Sequence, residues 1–218
     1  MMIVFLISEN GISERTVRIT ASSEQKYRVE IIERQFFVEH AAYLNAFRDS
    51  GRFVSRKLLF TGGFMEGGFQ EIYPDYTWLS ENILRIGENA VAEQSCEIIV
   101  ANESASTVSY LLLETIGSKA IIFDLAQDAT VQFKFPFAER LSGQGELAAT
   151  GKGFGAGVEL ADKNNPVAPS QINIKLTKET LTINATDRQL RPSYCCAPDR
   201  PDFYHESQYC SVERFELR

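Results

Sequence analysis

A ten-residue stretch of this chain occurs twice. Ile7-Ser8-Glu9-Asn10-Gly11-Ile12-Ser13-Glu14-Arg15-Thr16 returns 79 positions later as Ile86-Gly87-Glu88-Asn89-Ala90-Val91-Ala92-Glu93-Gln94-Ser95. Ile7/Ile86, Glu9/Glu88, Asn10/Asn89 and Glu14/Glu93 are identical, and the pairs between them are conservative. Similarity at a fixed offset is the mark of a repeated structural unit, so it restricts the chain to folds that can be built twice. Each copy runs on into a strand-like segment, a polar turn and a longer apolar strand-like segment. The expectation is an all-β chain of two tandem immunoglobulin-like β-sandwich modules, residues 1–79 and 80–187, with an irregular C-terminal tail at 188–218.

Residue periodicity supplies the elements. Val17 and Ile19 alternate with Arg18 and Thr20, the period-two signature of a half-buried strand. Ala21-Ser22-Ser23-Glu24-Gln25 is a polar turn, after which Tyr27, Val29 and Ile31 alternate with Arg28 and Glu30, predicting a hairpin. The period then changes. Phe37, Ala41, Leu44 and Phe47 fall at helical spacing with Gly51 in the position of a C-terminal cap, which predicts one short helix near 37–50. Phe53 to Phe60 returns to strand.

In the second half, Ile98 and Val100 mark a strand and Asn102 to Ser106 a turn. Val108 to Leu113 is apolar on both faces, as in a central strand covered from both sides. Val131, Phe133 and Phe135 alternate with Gln132 and Lys134. Ser142 to Gly157 is glycine-rich and weakly patterned and reads as a long loop. Ile172, Ile174 and Leu176, then Leu181 and Ile183, predict two closing strands. From Arg188 the alternation stops, and Pro192, Pro198 and Pro201 break regular structure.

This order of strands and Asn/Ser-containing turns resembles the immunoglobulin-like modules of bacterial surface and periplasmic proteins. The resemblance lies in pattern alone, and the inter-sheet cysteine pair with its intervening tryptophan, as in antibody domains, is missing. It implies the sandwich architecture, and it points to a periplasmic or extracellular location. It implies no activity.

Charge and motif content exclude some functions. A formal net charge of −7 disfavours any broad grip on nucleic acid, which needs clustered Lys and Arg to neutralise phosphates. The apolar opening Met1 to Ile7 is too short to span a bilayer and lacks the marks of a signal peptide. The echo favours a first strand there. No transmembrane span is expected in this chain, although membership of a membrane-associated assembly is compatible with it. Gly151-Lys152-Gly153-Phe154-Gly155-Ala156 fits G-x-G-x-x-[GA] formally, but no helix is predicted after it, so no cofactor is expected. Only His40 and His205 are available for histidine chemistry, and no nucleophile or metalloprotease motif occurs. A non-enzymatic role is the leading expectation.

Three groups of residues are candidates for function. The first is the glycine- and aromatic-rich segment 61–78, where Phe64, Phe69, Tyr73, Tyr76 and the sole tryptophan, Trp78, follow a Gly-Gly-Phe doublet. Rigid aromatic rings on a glycine-shaped loop suit a protein interface, and the alternative is that they fill a core. The second is the cysteine set. Cys195 or Cys196 could close a loop with Cys210, leaving Cys96 for the remaining tail cysteine. A zinc site at Cys195, Cys196, His205 and Cys210 has suitable ligand types, but adjacent cysteines are a poor spacing for one tetrahedral ion, so no metal is expected. The third is a pair of N-glycosylation acceptor sequences, Asn102-Glu103-Ser104 and Asn184-Ala185-Thr186.

Together these predict a binding or structural module that contacts a protein partner, as an accessory subunit of a larger surface or membrane-associated assembly. A carbohydrate-binding module or carboxylate-based glycosidase, and a particle or filament subunit, are the alternatives.

Overall fold

The computed structural model describes residues 6–7, 12–36, 39–49, 55–65, 76–87, 95–115, 118–136, 145–151, 154–161, 169–178 and 180–196. Every regular element among them is a strand. No helix among the described residues is long and apolar enough to cross a membrane. The chain divides into two compact units, Met1–Asn82 and Ile83–Arg218.

The first unit is an antiparallel meander of β1 (Leu6–Ile7), β2 (Ile12–Ala21), β3 (Tyr27–Phe36), β4 (Glu39–Asp49) and β5 (Ser55–Met65), side by side in chain order. A short strand, β6 (Tyr76–Ser80), follows. The register places Val29 opposite Ala46 and Ile31 opposite Leu44, so the alternating apolar residues of β3 meet those of β4 on one face. All four are buried, as is Tyr27. The predicted β2–β3 hairpin is present. Ser22 N donates to Tyr27 O and Gln25 N to Ser22 O, both at 2.9 Å, and Gln25 takes a φ of 58° to complete the turn.

Two expectations for this unit are corrected. The segment predicted as a helix near 37–50 is strand β4 from Glu39 onward, with Phe37 outside the described residues. β4 lies between β3 and β5 and is buried in succession at Leu44, Asn45 and Ala46. A strand covered on both faces loses its period-two contrast, and pairing on both edges overrides the helix preference of an alanine-containing segment. In β2 the strand is present, but Ile19 does not face inward as its place in the alternation predicts. A register shift between Thr16 and Arg18 bulges the strand at Val17. Ile19 then pairs with Glu30 and is 59% exposed, on the face opposite Val29 and Ile31.

The second unit contains β7 (Ile83–Gly87), β8 (Ser95–Asn102), β9 (Val108–Thr115), β10 (Ser118–Leu125), β11 (Thr130–Pro136), β12 (Gly145–Gly151), β13 (Phe154–Ala161), β14 (Gln171–Leu176), β15 (Leu181–Ala185) and β16 (Arg191–Cys196). One sheet carries β16-β13-β12-β9-β10-β7 in that order, and the other β11-β8-β14-β15. All described pairings in the unit are antiparallel except β8 with β14. A single core joins the two sheets, with Leu111, Leu113, Ile122, Leu147 and Val158 from the first and Ile98, Val100, Phe135, Ile172 and Ile183 from the second. Residues of both sheets thus line one hydrophobic cluster. Leu112 of β9 is buried as well as its neighbours Leu111 and Leu113, so the strand is covered on both faces as its unbroken apolar run predicts.

The sequence echo does not yield matching units. The first copy leads from β1 into β2, which pair directly, Leu6 opposite Glu14. The second leads from β7 into β8, and these enter different sheets. Two further expectations are revised here. The long loop predicted for Ser142 to Gly157 is the hairpin β12–β13, with Gly151 paired to Phe154 across residues 152–153. A Cβ on Gly151 would overlap the Phe154 ring, so glycine is what lets this ring lie across the partner strand. The start of the tail is also regular. Arg191–Cys196 forms β16 along β13, and its register shift between Gly157 and Val158 sits next to Pro192, where a proline is tolerated in a sheet.

Candidate functional site

The aromatic candidates are dispersed along the first unit. Phe64 lies in β5, at the register position opposite Ala41. Phe69 and Tyr73 lie outside the described residues. Tyr76 and Trp78 are two apart on β6, so the strand's period of two presents both to the same side. That side meets β2. Trp78 Nε1 donates to Thr20 Oγ1 at 3.0 Å, and the Arg18 guanidinium lies 4.3 Å from the centre of the Tyr76 ring. Both rings remain half-buried. A hydrogen bond fixes the plane of the indole, and a cation–π contact worth about 0.5–1 kcal/mol at such an exposed site steadies the phenol ring. Arg18 and Thr20 therefore position the aromatic pair. The sequence pattern assigned them to the solvent side of β2; Arg18 is exposed and Thr20 half-buried, and both contact β6.

Next to these rings the chain holds a carboxylate. Glu81 follows β6, and its two oxygens accept from the β2–β3 turn: Oε1 from Ser22 Oγ, and Oε2 from Ser23 Oγ at 2.7 Å and from Glu24 N at 2.9 Å. Desolvation, the largest single influence on this carboxyl, raises its pKa. The donors of Ser22, Glu24, Ser23 and Lys26 together outweigh it and bring the pKa down to about 2. The Ser-Ser-Glu turn thus works as an anion cradle filled by the chain itself. Its sequence signal was the pair of hydroxyls at a turn, which carries no hint of a partner 59 residues away.

On the opposite face of the meander, Arg28 donates to Asp49 Oδ2 at 3.1 Å and to Glu30, and its guanidinium lies 4.6 Å from the centre of the Phe47 ring. The pairings leave this face with Ile19, Glu30, Asn45 and Phe47 together.

The cysteines and acceptor asparagines separate cleanly. Cys96 is a free thiol, fully buried on β8 in the hydrophobic core of the second unit. Burial pushes its pKa up to about 12, so it is protonated and inert at neutral pH. The bridge considered for Cys96 is not formed among the described residues. Cys195 and Cys196 end β16, opposite Ala156 and Gly155, whereas His205 and Cys210 lie outside the described residues. No group of His, Cys, Asp or Glu that could hold a metal ion occurs among the described residues. Asn184 is exposed on β15. Asn102 is fully buried, and its amide nitrogen donates to Ser106 O, Leu125 O and Ala126 O at 3.0, 2.8 and 2.9 Å. An amide so engaged is closed to glycosylation, and Asn102 is a structural tie between two turns.

No known protein family matches the chain, and neither a curated protein nor a solved structure matches it.

Proposed function

We propose that this chain is a non-enzymatic binding and structural module that engages a protein partner through Tyr76 and Trp78, as an accessory subunit of a larger surface or membrane-associated assembly. The observation that carries this reading is the seating of the two rings. Each is held by a polar contact from β2, and each keeps part of its surface in solvent. Aromatic side chains already fixed before binding lose little entropy on association, and Trp and Tyr are the residues that most often dominate interface energies. The second unit enters as the scaffold. Its two sheets around one hydrophobic cluster support the immunoglobulin-like assignment, since such sandwiches present their loops and strand ends to partners.

The test is capture by the immobilised chain from extracts of its own source, followed by reciprocal capture with the protein so identified. Replacing Trp78 and Tyr76 together by alanine is expected to abolish capture while unfolding stays cooperative. Undiminished capture by a folded double variant would sink the assignment. Loss of the fold in that variant would assign the two rings to packing instead.

A further inference from the structure

Two turns far apart in the sequence meet at one side chain. Glu81 sits in the turn that directly follows β6, and its neighbours are tied to each other, with Ser80 Oγ donating to Asn82 Oδ1 at 2.9 Å. Its carboxylate lies across the β2–β3 turn. Ser22 Oγ donates to one oxygen, and Ser23 Oγ and Glu24 N donate to the other at 2.7 and 2.9 Å. The backbone of Lys26 adds to the same grip. The Ser22 hydroxyl is aimed from behind, because Tyr27 N donates to its oxygen at 3.1 Å and leaves its proton for Glu81. The turn carries both Glu24 and Lys26, so no net charge draws a carboxylate to it. Directed hydrogen bonds do, and bonds to an ionised acceptor are roughly twice as strong as those between neutral groups.

This clasp has a mechanical consequence for β6. A strand of five residues makes few ladder bonds of its own and is prone to open locally. β6 is instead fastened to the β2–β3 hairpin at two places, by the Trp78 indole on Thr20 and by Glu81 just past its last residue. We infer that Glu81 is the positioning residue of the aromatic surface: clasped by the β2–β3 turn, its carboxylate latches the end of β6 and holds Tyr76 and Trp78 in place before a partner arrives. It acts through the strand, not by contact with a partner. The consequence for binding rests on the function proposed above, since rings already fixed lose less entropy on association. The latch itself is a property of the free chain.

The experiment uses the full chain without a partner. Acrylamide quenching of Trp78, the sole tryptophan, and hydrogen exchange of the 76–80 amides are compared in the parent, Glu81→Gln, Ser23→Ala and Ser23→Thr. The first variant keeps the size of the side chain and loses its charge. The second removes one donor from an exposed position, and the third puts that hydroxyl back. Glu81→Gln is expected to make quenching about twofold stronger and 76–80 exchange about tenfold faster, with a smaller change in Ser23→Ala and none in Ser23→Thr. Combining Glu81→Gln with Ser23→Ala should give less than the sum of the two effects, because both act on one latch. Parental quenching and exchange in a folded Glu81→Gln chain overturn the inference. So does faster exchange spread equally over the 27–36 amides, which would report lost stability of the sheet and not release of β6. If Glu81→Gln does not fold, the Ser23 pair decides: a change in the alanine variant that the threonine variant reverses upholds the latch, and no difference between them overturns it. Neither readout involves a partner, so failure of the latch and failure of the proposed interface appear in separate experiments.

Discussion

Asn102 is a polar residue that the sequence presents as a surface feature and the structure uses as an internal joint. Its amide nitrogen serves three carbonyls, and its Oδ1 accepts from Ser104 N at 3.1 Å and from Ser104 Oγ. Its own backbone adds Asn102 N to Ala129 O at 2.9 Å and Asp128 N to Asn102 O at 2.7 Å. The β8–β9 and β10–β11 connections are therefore pinned to one side chain. Removing one partner from a buried network leaves the rest desolvated without compensation, which costs more than the bonds gave in net stability. Asn102→Asp isolates this effect, because it keeps Oδ1 and the shape while losing all three donated bonds. The expected loss at neutral pH is about 3 kcal/mol or more, from unpaired carbonyls and a buried charge. A buried aspartate has its folded pKa raised, so its cost is present above the ordinary carboxyl range near pH 4 and shrinks as pH falls. Chemical denaturation of the variant at neutral and mildly acidic pH checks both magnitude and sign. A loss that is independent of pH would mean that the aspartate reaches solvent.

At the scale of elements, the hairpin β12–β13 gives the sharpest case. Its glycines read as loop residues by composition, but Gly151 is needed because the Phe154 ring occupies the space a side chain would take. Gly151→Ala is expected to destabilise the second unit by about 1–3 kcal/mol, the usual cost of overpacking a filled site. Phe154→Leu in the same chain should return part of that loss, and the coupling in a double-mutant cycle measured by denaturant unfolding tests it. Additive effects would show that ring and glycine do not share the space. This hairpin also shows what was legible in the sequence. Strands with one buried and one wet face announced themselves, as Phe133 and Phe135 against Gln132 and Lys134 do, because the pleat writes its period into the residues. β4, β12 and β13 did not. β4 is buried on successive residues, and the other two are rich in Gly and Ala, whose small side chains leave little hydrophobic alternation to read. The aromatic site was half legible: Tyr76 and Trp78 could be named from composition. Their supports Arg18 and Thr20 could not, since the pattern assigned both to the solvent side of β2.

The whole molecule offers two native reporters, one in each unit. Trp78, the only tryptophan, lies in Met1–Asn82, and Cys96, a buried free thiol, lies in Ile83–Arg218. Indole emission follows the seating of Trp78 against Thr20, and labelling of the Cys96 peptide by a thiol reagent, resolved from Cys195, Cys196 and Cys210, follows the second unit. The pH responses of the two units are expected to differ in direction. Glu81 has a pKa held near 2 in the folded chain against an ordinary value of 4.5, so its stabilising effect is complete above that ordinary value. It is lost as pH falls between them. Cys96 is raised from an ordinary 9.0 to about 12, so its contribution is complete below the ordinary value and is lost as pH rises toward the folded one. Acid should thus lower the denaturant midpoint read by Trp78, and alkali the midpoint for opening of Cys96. Glu81→Gln should flatten the acid response of the tryptophan signal, because an amide neither titrates there nor holds the Ser22 and Ser23 hydroxyls as a carboxylate does. Gly151→Ala should move the Cys96 midpoint and leave the Trp78 midpoint in place. If both midpoints move together in every variant, the two units unfold as one cooperative body.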